Sequence, residues 1–210
     1  MRGLRRRPGG GAACVVRNAA LACLSASACV GASAWVLTLT PGSKQLFLMV
    51  GVGTPGANNA AVNVVSVNVP ATGVGSGTAL AMTSSSTQAA SPYDNYIVCN
   101  PPAQVYVGGS YRQPNATTGA ATAALSVSTP PSLNSGTDSI PFTQISWTST
   151  ANGNTTADIP AGTFNGGTVN LANFGRNTFV ENCFTYFYAN SVMAPAGTFT
   201  GRATFTLTTP

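Results

Sequence analysis

The chain has 210 residues, of which 6% are charged and none is histidine. Lacking histidine, it has neither the commonest general base nor the commonest transition-metal ligand, and no Ser-His-Asp triad can be assembled. The net charge of +5 is misleading as a guide to partners, because Arg2, Arg5, Arg6, Arg7 and Arg17 supply most of the basic side chains from the N-terminal segment alone.

Those arginines precede an apolar stretch from Ala19 to Val30, which is too short to span a bilayer comfortably, and then the small residues Ala32-Ser33-Ala34. A basic start, an apolar middle and a small-residue site together read as a secretory signal peptide, residues 1–34, cleaved after Ala34. A short membrane anchor is the alternative, and in either case only this segment is expected to touch a membrane. In the remaining domain, 35–210, Lys44, Arg112, Arg176 and Arg202 are matched by Asp94, Asp138, Asp158 and Glu181. A neutral domain offers no basic surface to nucleic acid, and the expected location is secreted, in the periplasm or on the cell surface. Cys14, Cys23 and Cys29 fall in the signal, leaving Cys99 and Cys183. An exported chain with two cysteines is expected to pair them in one disulfide, which would contribute roughly 4–5 kcal/mol on chain-entropy grounds. Two separate buried thiols are the alternative.

No segment beyond residue 34 repeats apolar residues at helical spacing, whereas strand patterns recur between glycine and proline punctuation. "WVLTLT" sets Trp35, Leu37 and Leu39 on one face. "LFLMVGV" sets Leu46, Leu48, Val50 and Val52 against Phe47 and Met49, which predicts a central strand covered on both faces. In "VNVVSVNV" the alternation slips, and a β-bulge at Val64-Val65 would restore it. Further strands are expected around Leu80, at Tyr96 to Cys99, Val105 to Val107, Leu125 to Val127, Ile145 to Trp147, Val169 to Leu171, Cys183 to Tyr188 and Ala203 to Leu207. Many short strands separated by turns predict an all-β sandwich or barrel in one domain.

One echo stands out, "PAGTFNGGTVNL" from Pro160 and "PAGTFTGRATFTL" from Pro195. In each, proline and glycine suit a turn and Thr-Phe opens a strand, so both are expected to be turn-plus-strand elements of one sheet.

Chemistry is thin. Asp94, Asp138 and Asp158 sit in turn sequence and Glu181 begins a strand, with nothing in their spacing to pair two carboxylates in a cleft. The expectation is no enzyme, cofactor or metal. The aromatic run "CFTYFYAN" puts Phe184, Tyr186 and Tyr188 on one face, which is more often core than a sugar-stacking platform.

The ending "YANSVMAPAGTFTGRATFTLTTP", from Tyr188 to Pro210, resembles the C-terminal pattern of bacterial secreted pilin-like proteins of the spore coat protein U type. In that pattern an "AGTYTG" turn leads into an alternating Thr-rich last strand. The resemblance implies an immunoglobulin-like antiparallel β-sandwich of roughly 8–10 strands, exported with a periplasmic chaperone and an usher. It also implies an incomplete sandwich that is finished by a neighbour's strand, in a homo- or hetero-oligomer with other surface subunits. Ala203, Phe205 and Leu207 would then face the core beside the acceptor groove, and Trp35, Leu37 and Leu39 would belong to the donor. A self-contained sandwich remains open beside this reading. So does a function of another class, a monomeric secreted carbohydrate-binding module that stacks glycans on Trp147, Tyr186 or Tyr188.

Overall fold

Alternation of apolar and polar side chains makes strands of nearly half of the described residues after Lys44, because each strand then has one face to bury. The computed structural model describes residues 43–52, 63–113, 119–151 and 156–210, all within one compact unit, Thr40–Pro210. Among the described residues the strands are β1 (Gln45–Val50), β2 (Val65–Ser66), β3 (Leu80–Ala81), β4 (Thr83–Ser84), β5 (Val105–Arg112), β6 (Thr122–Ser128) and β7 (Ser132–Ser135). They continue with β8 (Asp138–Pro141), β9 (Ile145–Ala151), β10 (Gly162–Thr163), β11 (Thr168–Gly175), β12 (Thr178–Tyr188) and β13 (Thr204–Thr208). Among the described residues the helical content is two single 3-10 turns, Ala71–Gly73 and Phe142–Gln144.

The larger sheet runs β1-β5-β12-β9-β10, with β3 pairing the end of β12, and the smaller runs β11-β6-β13. Every pairing is antiparallel. The two sheets face each other as a sandwich whose core joins Val105, Val107 and Tyr111 of β5 and Phe184 and Tyr186 of β12 to Ala123, Leu125 and Val127 of β6. An aromatic chain runs through it, Trp147 stacking on Phe184 at 5.5 Å and meeting Phe164 at 4.9 Å, with Phe142 edge-on to Phe164 at 5.3 Å. The two-stranded pair β2-β4 and the hairpin β7-β8 lie outside the two sheets.

Two expectations are corrected. Among the described residues β1 pairs with β5 alone, which makes it an edge strand there and not a central one, although Leu48 and Val50 join the main core while Met49 is buried on the opposite face. Val64 is 62% exposed while Val65, Val67 and Val69 pack on the core, so the valine run loses one side chain to solvent and needs no bulge there. The bulge falls instead in β11 between Asn170 and Ala172, where Leu171 is the extra residue. It shifts the inward parity from Val169 and Leu171 to Phe174 and so keeps all three on the core.

The echoed segments build equivalent parts of the smaller sheet. Each copy turns into a strand that pairs with β6, β11 on one side and β13 on the other, so that Thr168 and Thr204 both face Ser128, and Val169 and Phe205 both face Val127.

Candidate functional site

Sheet edges are where a β-sandwich can join another chain, since their outer N–H and C=O groups have no ladder partner. Among the described residues the two sheets end on β1, β10, β11 and β13, of which β10 is two residues long and β11 carries the bulge, both of which discourage further pairing. β1 and β13 have neither feature, nor any proline or charged residue within their spans. They are also neighbours, packed side by side, with Lys44 Nζ donating to Thr209 Oγ1 at one end and lying 5.9 Å from the Tyr111 ring.

Between these two edges runs an apolar seam. Leu46 is 40% exposed, and Leu48, Val50, Phe205 and Leu207 are half-buried. Leu207 lies over Gly109 of β5, where an added Cβ would come within 3.2 Å of its Cδ2. Fully burying a Leu or Phe is worth about 1.5–3 kcal/mol, so a covering strand would gain a further fraction of that at each half-covered position. Ala203, Phe205 and Leu207 therefore share the inward face as the sequence predicts, beside the main core. Trp35, Leu37 and Leu39 lie outside the described residues.

The outer face of the larger sheet holds what sequence reasoning missed. Glu181, on β12, is 2% exposed and not a solvated carboxylate. Its Oε2 accepts hydrogen bonds from Tyr106 Oη at 2.7 Å and Ser91 Oγ at 2.8 Å. Gly108, which faces Glu181 across the ladder, makes this arrangement fit: a Cβ there would sit 2.4 Å from Tyr106 Oη. Burial pushes the Tyr106 hydroxyl well above its ordinary pKa, and its hydrogen bond to Glu181 and that residue's charge push the same way. Residues 86–104 cover this face. Cys99 is bonded to Cys183 with Cα atoms 5.5 Å apart, which is the disulfide the cysteine pair predicts. Tyr93 stacks on Phe179 at 4.5 Å and meets Phe47 edge-on at 6.1 Å. Both rings flank Ser110 in the ladder.

Two buried amides do comparable work elsewhere. Asn182 accepts from Ile159 N at 2.8 Å and donates to Thr150 O at 2.7 Å. Asn190 accepts from Gly75 N at 3.0 Å and donates to Gly73 O at 2.7 Å, tying the loop around residue 75 to the end of β12.

The glycan-stacking aromatics are corrected by their placement. Trp147, Tyr186 and Tyr188 are 3%, 6% and 7% exposed, and the Trp147 indole N–H donates to Pro160 O at 3.0 Å. Rings packed between two sheets have no face to offer a sugar. The three aspartates are exposed, whereas Glu181 is buried. Among the described residues no cluster of His, Cys, Asp or Glu could hold a metal ion. In comparisons of the chain with protein-family models, curated proteins and solved structures, nothing matches.

Proposed function

We propose that this chain is a non-enzymatic structural subunit of an exported bacterial surface assembly, of the fimbrial or adhesion-associated kind, in which copies join by strand complementation. The observation that carries the reading is the undefended edge of β13 beside the half-covered seam it shares with β1. An incoming strand with alternating apolar residues would gain main-chain hydrogen bonds along β13 and bury the seam at the same time. Segment Trp35–Thr40, with Trp35, Leu37 and Leu39 on one face, has the alternation such a donor needs. In this proposal the partners are other subunits and a periplasmic chaperone that holds the seam before assembly. The neutral charge balance beyond residue 34 and the Cys99–Cys183 disulfide suit an exported setting.

The test is gel migration of exported protein under oxidising conditions, unboiled and boiled, beside a variant lacking Trp35 to Thr40. The expected result is a ladder that survives SDS, collapses on boiling and is absent from the variant. A single monomer band from native surface preparations would overturn the proposal and leave β13 as the edge of a self-contained sandwich.

A further inference from the structure

The apolar contacts of residues 86–104 differ from those of the rest of the domain. None of these residues belongs to the main core; Val98 and Cys99 pack only in a small separate cluster with Met49, Tyr106 and Cys183 on the other face of the larger sheet. The segment is organised by its own bonds: Val98 N donates to Ala89 O at 2.8 Å, Ser91 N to Tyr96 O at 2.8 Å, and Tyr96 N to Asp94 Oδ1 at 2.9 Å. Its tip faces outward, with Tyr96 and Ile97 61% and 66% exposed. Its attachments to the strands are the disulfide, the Ser91–Glu181 hydrogen bond, the Tyr93 contacts with Phe179 and Phe47, a bond from Gln104 Nε2 to Thr150 Oγ1 at 3.1 Å and one from Ser84 N to Pro102 O at 2.9 Å. Only the first is covalent.

We infer that residues 86–104 form a redox-latched cover, able to lift from the outer face without unfolding the sandwich once the Cys99–Cys183 disulfide is reduced. Lifting uncovers the Glu181 carboxylate, the Tyr106 hydroxyl and Met49, a polar and apolar surface that the oxidised protein keeps closed. The reductant is a dithiol. One of its thiolates attacks a disulfide sulfur, the second closes a ring on the first, and the dithiol leaves as a cyclic disulfide while its two electrons and two protons end on Cys99 and Cys183 as thiols. With Cys99 4% and Cys183 0% exposed, neither sulfur is open to direct attack, so the latch holds until the cover breathes.

The experiment uses the full chain, oxidised, treated with dithiothreitol, or carrying Cys99→Ala and Cys183→Ala together. Chymotrypsin cleavage after Tyr93 or Tyr96 reports the cover, and near-UV circular dichroism from the Trp147 cluster reports the core. Expected are cleavage at least tenfold faster than in the oxidised protein and an unchanged near-UV signal. Equal cleavage rates would overturn the inference by showing that the noncovalent contacts suffice. Loss of the near-UV signal on reduction, or cleavage throughout the domain, would overturn it by making the disulfide a support of the whole fold. Should the double variant not accumulate, hydrogen exchange on the folded protein before and after dithiothreitol separates the same outcomes: exchange confined to residues 86–104 supports the latch, and exchange across β5, β9 and β12 refutes it.

Discussion

Replacing Gly108 by alanine tests whether the outer face is organised around Glu181. Gly108 sits in a regular stretch of β5 with no unusual backbone conformation, so propensity alone would make the change mild. The geometry predicts otherwise, because the new methyl would lie 2.4 Å from Tyr106 Oη and 2.8 Å from its Cζ. Tyr106 is wholly buried and must move, taking its hydroxyl from the 2.7 Å bond to Glu181. Overpacking a tight site costs about 1–3 kcal/mol. Depriving a buried carboxylate of one hydroxyl donor adds about 1–3 kcal/mol. The expected loss is thus about 2–6 kcal/mol, or a melting temperature lower by roughly 4–24 °C for a domain of this size. Denaturant and thermal unfolding would measure it, with Gly175→Ala as control, since nothing lies within 4 Å of a Cβ there. The cycle with Tyr106→Phe should be non-additive, because both changes remove the same hydrogen bond. A Gly108→Ala protein within about 0.5 kcal/mol of the parent, with the Gly175 variant equally stable, would refute the reasoning.

Two further outcomes follow from the same buried polar groups. Tyr106 and Tyr186 are held protonated above their ordinary pKa, chiefly by burial, and unfolded tyrosines ionise near pH 10. Above about pH 10 the unfolded state therefore binds fewer protons than the folded one, and stability, full below that pH, should fall by about 1.4 kcal/mol per pH unit for each residue. Phenolate absorbance followed together with circular dichroism checks this, and ionisation of all six tyrosines near pH 10 with the fold intact would contradict it. Asn182→Ala strands the Ile159 N–H and the Thr150 carbonyl, so a loss of about 2–4 kcal/mol is expected in urea unfolding. A change below about 0.5 kcal/mol would mean that water or a shifted backbone replaces the amide.

Parity is legible in the sequence where a strand buries one face against a sheet. Phe184, Tyr186 and Tyr188 share the core face as their spacing predicts, and so do Phe205 and Leu207. The bond between Cys99 and Cys183 is the one expected once Cys14, Cys23 and Cys29 are assigned to the N-terminal segment. What pattern could not supply was the second layer of burial outside the larger sheet, because the strand expected up to Cys99 reduces to a single bridge between Ala90 and Ile97, and Ser91 is 90 positions from the carboxylate it meets. A glutamate two residues from a cysteine on the same face of β12 hinted that the face is covered, since that cysteine is pinned under a distant segment. For the same reason β1 reads as a central strand: both its faces are apolar, one for the sandwich core and one for the cover, while its position at the sheet edge is a property of pairing that its own residues do not encode.

The two echoed segments show how small a difference can separate a closed edge from an open one. Both begin Pro-Ala-Gly-Thr-Phe, and both deliver a strand against β6 in matching register at its first three positions. From Thr168 to Leu171 and from Thr204 to Leu207 the two copies are equally long, yet Leu171 becomes the bulge while Leu207 pairs with Leu125. There β11 breaks its alternation before resuming it from Ala172 to Gly175, which interrupts the straight row of outward N–H and C=O groups that another strand would need. β13 keeps strict alternation through Thr208, with Thr204, Thr206 and Thr208 outward and Phe205 and Leu207 inward. Uncharged threonines carry none of the charge that usually guards an exposed edge. If strand addition is what β13 is for, moving the bulge should move the site. Inserting one residue between Phe205 and Thr206 would turn Leu207 away from the core and is expected to abolish the SDS-resistant ladder, whereas the same insertion in the already bulged β11, beside Leu171, is expected to leave the ladder in place at some cost in stability. Ladders lost equally from both variants would mean that the smaller sheet as a whole, and not the β13 edge, supports assembly.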